Sequence, residues 1–384
     1  MDEQPTVHPA VEATASDVAT MEIRGAAPIA VAAASALATA ATESDATGDE
    51  LRAELRAAAR RLHDTRPTAI SLANAIRLVL GDLDPSVPIR TPGGQLRPVR
   101  RTDVAGGSGP SESDVASSDS APDAESDAAS DGEPNPDPGG ESNAALDAPA
   151  SQPDLDTWVA SRATAFQEDL ADAQSAVGRV GGNRFVDGDV VLTHCHSTAV
   201  LACFERALDR GIDLSAYVKE TRPRLQGHET ARDLEALGVD VTLVVDGAAH
   251  ATLPAVDHVL VGADSIEADG TLVNKVGTAG LAASAAVRDV PVTVAATTLK
   301  LNPETLAGHV TPIEERSADE VIDPDRRRSI GDPSVANPAF DRTPPAHLDA
   351  VATEVGLLAP TNVGTLVREW YGATPVRPWE RSCD

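Results

Sequence analysis

The stretch VLTHCHSTAV (191–200) sets Cys195 between His194 and His196 at the end of an apolar run. A thiol in that setting has four readings: metal ligand, nucleophile, acid–base group or buried filler. Zinc is disfavoured, because neighbours on a strand point to opposite faces and the two histidines cannot easily converge with the cysteine on one ion. No further Cys/His pair at ligand spacing supports a metal site. Where a strand passes into a helix, the helix N-terminus depresses a thiol pKa, and that is the expectation for Cys195. Three other groups carry chemistry. Arg222 and Arg224 stand in ETRPRLQG (220–227) with Gln226 leading into a helix, a candidate anion site in an acidic chain. Asp264 closes HVLVGAD (258–264), a carboxylate placed for acid–base work. Asn274, Lys275, Gly277 and Thr278 follow as a polar, glycine-containing helix start suited to a phosphate or a sugar hydroxyl. A thiol and a carboxylate ringed by cations, lacking the third member of a nucleophilic triad, fit proton-transfer isomerisation of a phosphorylated substrate better than hydrolysis.

The elements that must position these residues follow from periodicity. Residues 12–80 read as helical. RGAAPIAVAAASALATAAT (24–42) has apolar residues at helical spacing, and DTRPTAISLANAIRLVL (64–80) places Pro67 in a first helical turn. A further helix is expected over 157–178. From 189 onward, short β-branched runs alternate with helices: strands at 189–195, 216–220, 241–246, 258–264 and 290–297, helices at 198–211, 228–238 and 274–289. That alternation predicts a parallel sheet of βαβ units covered on both faces, with ligands at the carboxyl ends of its strands. The fold class is α/β: a helical N-terminal domain (1–102) followed by a Rossmann-like parallel sheet domain (157–384). Between them, 103–156 has no lysine, arginine or large aliphatic cluster, and is expected to be a disordered acidic insert.

Composition narrows the function classes. The 384 residues carry 60 acids against 31 basic residues, a formal charge of −29, and only 2% are aromatic against 41% hydrophobic. Only Lys219, Lys275 and Lys300 are lysine; the other 28 cations are arginine. Such a surface suits a cytoplasmic protein in high salt, where ions screen self-repulsion. It argues against nucleic acid as a partner, since phosphate backbones need compensating cations. Three cysteines make no disulfide framework, MDEQPTVHPAVEA lacks an apolar signal core, and no run of about 18 apolar residues indicates a membrane span.

With these residues in hand, the chain resembles the superfamily of initiation factor 2B regulatory subunits and related sugar-phosphate isomerases. The matching motifs are IRGAAPIA (23–30), TRPTAISLANA (65–75), THCHS, ETRPRLQG, GADSIEADGTLVNKVGT (262–278), TPIEERSADEVI (311–322) and NPAFDRTPP (337–345). Initiation-factor members usually carry other residues where Cys195 and Asp264 stand. Methylthioribose-1-phosphate isomerases share the pair but usually begin with an aromatic-containing segment and an LDQR-like motif absent here. The archaeal ribose-1,5-bisphosphate isomerases match the short entry into RGA and the EVIDPD run (320–325).

That resemblance implies conversion of ribose 1,5-bisphosphate to ribulose 1,5-bisphosphate, in the degradation of AMP. Cys195 would move the proton at C2, and Asp264 would act on the ring oxygen and adjacent hydroxyl. Arg24, Gly25, Ala26 and Arg66 would surround one phosphate; Arg222, Gln226, Asn274 and Lys275 would contact the sugar and phosphates. It further implies no metal or organic cofactor, a phosphorylated pentose as substrate and a dimer-based homo-oligomer. The alternatives are methylthioribose-1-phosphate isomerisation and a non-catalytic regulatory subunit. His196 stands where relatives commonly have Asn, and Pro28 where many have another residue.

Overall fold

The computed structural model describes residues 7–89, 95–98, 153–372 and 375–380. The N-terminal part is a helical bundle of α1 (Pro9–Ala19), α2 (Ala26–Thr42), α3 (Gly48–Thr65) and α4 (Ile70–Leu80), completed by the first half of the 28-residue α5 (Leu155–Gly182). Alanine makes the packing close: Ala30, Ala33, Ala34, Ala40 and Ala41 of α2 are buried against α4 and α5, with Leu37 and Trp158 filling the gaps. Pro28 lies in the first turn of α2, where a missing N–H removes no helical hydrogen bond. Pro67, by contrast, does not start α4. That helix begins at Ile70, because Arg66 is extended (φ −150°) and the chain turns through 67–68 first.

The expected insert lies outside the described residues as far as 152. Its last residues are already helical, because Leu155 and Trp158 bury in the bundle core beside Leu96. The boundary expected at 157 therefore assigns α5 to the wrong core for half its length. The second half of α5 packs on the sheet domain, with Val177 in the core under β1 (Val190–His194) and α6 (Thr198–Asp209). Gly178, Gly181 and Gly182 make that crossing possible. A Cβ on Gly181 would lie 2.4 Å from Cys203 Sγ, and one on Gly178 2.7 Å from the Ala202 carbonyl. Cys203 is thereby a packing residue, and burial pushes its thiol up to about 12.

The remaining elements are β2 (Ser215–Lys219), α7 (Gly227–Ala236), β3 (Asp240–Val244), α8 (Ala249–Thr252), β4 (His258–Val261), β5 (Ser265–Glu267), β6 (Leu272–Lys275), α9 (Thr278–Val287), β7 (Val292–Ala295), β8 (Leu301–Asn302), α10 (Pro324–Ser329), β9 (Phe340–Thr343), β10 (Ala350–Thr353), β11 (Gly356–Leu358) and α11 (Val363–Tyr371). Among the described residues they form two sheets. The larger has the order β11-β10-β7-β4-β1-β2-β3, parallel except for the β10–β11 pair. The α/β class and the Rossmann-like sheet stand as the alternation predicts. The smaller sheet, β8-β5-β6-β9, breaks the expectation of a helix from 274: Asn274 and Lys275 end strand β6, and the helix starts at Thr278. No helix of the described residues is long and apolar enough to cross a membrane.

Candidate active site

The order of the large sheet reverses between β1 and β4, and in open α/β sheets such a reversal opens a crevice outside the strand ends. Cys195 leaves β1 at this point and Asp264 follows β4. The two turns press together, since a Cβ on Gly262 would lie 2.5 Å from Ser197 Oγ. Asp264 also donates its backbone N–H to the Val273 carbonyl at 3.0 Å, which joins the carboxylate's segment to the small sheet bearing Lys275.

Cys195 is half-buried, with φ at +70°, a conformation that costs a non-glycine residue of order 1–3 kcal/mol unless its surroundings fix it. Two threonines fix it. Thr221 Oγ1 accepts the Cys195 N–H at 2.9 Å, and Thr230 Oγ1 donates to its carbonyl at 2.8 Å. Thr221 is itself left-handed (φ +63°) and held by Asp246, whose carboxylate accepts the N–H groups of Thr221 and Arg222 at 3.1 and 2.7 Å. The loop after β2 and helix α7 thus clamp the cysteine backbone.

The flanking histidines turn away from the thiol. His194 donates from Nε2 to the Val276 carbonyl at 2.9 Å, which leaves Nδ1 as an acceptor 3.2 Å from Thr221 Oγ1. Burial and the nearby Lys219 hold its pKa down to about 4, so the ring is neutral. His196 leans on α7: Thr230 spends its proton on the Cys195 carbonyl, so His196 Nδ1 donates to Thr230 Oγ1 at 3.1 Å. Among the described residues no group of three His, Cys, Asp or Glu side chains is arranged to hold a metal ion.

The depressed thiol pKa expected at a helix start is not found. Burial pushes Cys195 up to about 11; Lys275 draws it down, Asp264 pushes it up, and Arg316 draws it down. The helix N-terminus is two residues away, and Ser197 caps it by accepting the Val200 N–H. Burial also lowers Lys275 and Lys300, both of which interact with Asp264 and Cys195.

The structure brings most of the sequence-expected residues to this edge, with three corrections. Lys275 sits over the Phe340 ring (5.0 Å) and Asn274 donates to Thr278 Oγ1 (3.0 Å), but both project from a strand. The helix start at Gly277–Thr278 is no phosphate cradle, because Asp341 from β9 already accepts the N–H groups of Gly277 and Ala279 at 2.6 and 3.1 Å. Both loop arginines are exposed: Arg222 finds a partner among the described residues only through its backbone N–H, whereas Arg224 meets Glu320 at 2.6 Å and Met21 Sδ at 3.3 Å. Gln226 presents a buried Oε1 with no hydrogen-bond partner. Arg24 and Gly25 are exposed at the start of α2, whose N-cap, Gly25 (φ +85°), offers no side-chain cap, so the N–H groups of Ala26 and Ala27 stand open. Arg66 reaches Glu314 at 3.4 Å.

Sequence reasoning missed Lys300, Arg316 and the clamp of Thr221 and Thr230. A signal for the lysine was present: a chain that has replaced nearly every lysine with arginine keeps three, and all three lie at this edge. Lys219 reaches the Gly277 carbonyl at 3.3 Å and Asp246 at 3.9 Å, Lys275 faces Cys195, and Lys300 faces Asp264. Lys300 projects from a turn held by the bundle. Asn74 of α4 donates to the Leu299 and Leu301 carbonyls on either side of it, at 2.9 and 2.8 Å.

A helical bundle set on the carboxyl edge of a Rossmann-like sheet, with a second small sheet closing the site, recurs in solved proteins. The chain belongs to the initiation factor 2 subunit family, whose pattern covers residues 22–360. Within it, the chain is 47% identical to the ribose 1,5-bisphosphate isomerase of Haloterrigena turkmenica, over 99% of both proteins, and 46% identical to that of Haloferax volcanii, over 97% of this chain and 96% of the relative. Among solved structures, it superposes on the 5-methylthioribose 1-phosphate isomerase of Pyrococcus horikoshii with a TM-score of 0.63 at 24% identity, covering 94% of this chain and 87% of that one.

Proposed function

We propose that this protein is an isomerase converting ribose 1,5-bisphosphate to ribulose 1,5-bisphosphate, with Cys195 and Asp264 as its acid–base pair. The observation that carries the reading is the clamped thiol at the reversal of the sheet, facing a carboxylate amid Lys275, Lys300 and Arg316. The fold alone does not decide, since the same family includes initiation-factor subunits. The match to the archaeal isomerases over nearly the full length of both chains supports the substrate.

The chemistry asks for these groups. Protonated Asp264 gives a proton to the ring oxygen as the C1–O bond breaks, while the Cys195 thiolate removes the proton at C2, leaving an enol between C1 and C2. The thiol then returns its proton to C1 as Asp264 takes the C2 hydroxyl proton, and the ketone forms. The charge of Asp264 disfavours the thiolate, and in the reaction thiol–carboxylate and thiolate–carboxylic acid differ by one proton passed between the two. A thiolate whose conjugate acid has a pKa near 11 is scarce at neutral pH but strongly basic once formed. The open start of α2 with Arg24, Gly25, Ala26 and Arg66 takes one phosphate, and Gln226, Asn274 and Lys275 orient the sugar. Arg222, exposed, is assigned a place at the rim.

We take the protein to be cytoplasmic and to assemble as a dimer-based homo-oligomer. Light scattering in molar salt reads the mass. For the activity, the test is an assay in molar salt that follows ribulose 1,5-bisphosphate. Turnover is expected, with Cys195→Ser and Asp264→Asn each lowering kcat at least about 10³-fold while circular dichroism stays unchanged. Full activity in Cys195→Ser would sink the mechanism. Turnover of methylthioribose 1-phosphate alone would sink the substrate.

A further inference from the structure

Between β8 and β9 the chain runs over the site through 308–339 with little regular structure, carrying Glu314, Arg316 and Glu320. Arg316 has a side chain only 7% exposed, yet its Nε has no hydrogen-bond partner; the nearest carboxylate oxygen, Glu314 Oε1, stands 3.8 Å away. Buried guanidinium groups are ordinarily saturated with acceptors, so this one is short of a ligand. Its charge reaches the reaction centre, drawing the Cys195 thiol down, and its carbon lies 5.8 Å from the Phe340 ring that also carries Lys275. Around it stand Arg66, Arg224, Glu314 and Glu320. The two ion pairs there are unequal. Arg224 and Glu320 make two hydrogen bonds, at 2.6 and 3.0 Å, whereas Glu314 is shared at 3.4 Å by Arg66 and at 3.8 Å by Arg316. A charge-assisted hydrogen bond is normally 2.7–2.9 Å long, so Glu314 neutralises its two arginines without coordinating either fully.

We propose that Arg316 is a substrate-binding residue that takes a phosphoryl group together with Arg66, and that Glu314 occupies both arginines until this group displaces it. The inference rests on the sugar-phosphate reading above and adds to it a residue, and a competing charge, that none of the expected contacts includes. A phosphoryl dianion brings three acceptor oxygens where Glu314 brings one loosely shared carboxylate. The pair Arg224–Glu320, joined by two hydrogen bonds, flanks the subsite.

Calorimetry on the arrested Cys195→Ser protein tests it, with ribose 1,5-bisphosphate and inorganic pyrophosphate as separate ligands. Arg316→Gln is expected to weaken both by about 30-fold, and Arg316→Lys to recover part of the loss. Glu314→Gln is expected to tighten both by about fivefold, because the competing charge is gone. A merely structural ion pair demands that both substitutions weaken binding. That pattern overturns the proposal, as do an Arg316→Gln protein that binds normally and a folded Cys195→Ser protein that binds neither ligand. Pyrophosphate binding with the expected signs, alongside no binding of ribose 1,5-bisphosphate, upholds the anion subsite and overturns the substrate instead.

Discussion

At Cys195 the structure sets burial against charge, and the balance is measurable by chemistry on the thiol itself. Iodoacetamide reacts with the thiolate, so its rate against pH reads the thiol pKa directly. In the free protein that rate should climb toward a midpoint near 11. Lys275 holds the thiol down and Asp264 pushes it up, so Lys275→Met should move the midpoint upward and Asp264→Asn downward. Unchanged midpoints in both would mean that neither charge reaches the sulfur. His194 adds a stability signature of its own. Its folded pKa of about 4 lies below the ordinary 6.5, so the unfolded chain takes up a proton first as the pH falls. Stability should be fully present above 6.5 and be lost as the pH falls through 4, by about 3 kcal/mol at 1.36 kcal/mol per unit. The clamp makes a separate demand. Thr221→Val should lower kcat with little change in KM, and Thr221→Ser, which restores the acceptor for the Cys195 N–H, should recover most of it. Equal losses in the two variants would point to the methyl group rather than the hydrogen bond.

Among the elements, α4 and β6 show how the bundle and the small sheet build a site that the large sheet alone cannot. Asn74 is buried at the contact, its amide on the carbonyls flanking Lys300 and its oxygen accepting from Arg77 Nη1 at 2.8 Å. Asn74→Leu leaves two buried carbonyls unpaired, at about 1–3 kcal/mol each, and frees the Lys300 turn. We expect a lower Tm and, at a temperature where the variant is folded, a reduced kcat/KM; loss of stability with unaltered kinetics would show that Lys300 is placed without α4. The alternating strands and helices of the large sheet were legible as far as β7, because their β-branched runs are bounded by glycine and polar turns; the short β10 and β11 were not. The small sheet was not. Ser265–Glu267 and Leu301–Asn302 are three and two residues long and carry no period, and Asn274–Lys275 abut an alanine-rich helix that draws them into its pattern. Cys195 and Asp264 could be placed from strand ends alone. Arg316 could not, because nothing local in TPIEERSADEVI says that this segment brings its arginine within reach of Cys195 and Phe340.

For the whole molecule the governing quantity is charge, and the segment 103–152 concentrates it. That segment holds twelve of the 60 acids and no cation. The described residues on either side of it meet: Leu96 and Leu155 share the bundle core, and Trp158 Nε1 donates to the Val87 carbonyl at 2.9 Å. A connection whose ends already meet can be shortened at little cost, since closure entropy changes slowly with length. Replacing 104–151 with a short Gly/Ser linker removes eleven acids, bringing the formal charge from −29 to −18. Self-repulsion weakens with the charge, and salt acts by screening what remains, over a Debye length of about 3 Å at 1 M. The shortened protein should match the full chain in Tm at 2 M KCl, exceed it at 0.1 M, and keep kcat in molar salt, because every residue proposed above for the site lies on either side of the cut. Equal Tm values at both salt concentrations would place the salt requirement on the folded surface alone. A collapse of kcat with Tm preserved would show instead that the acidic segment reaches the substrate.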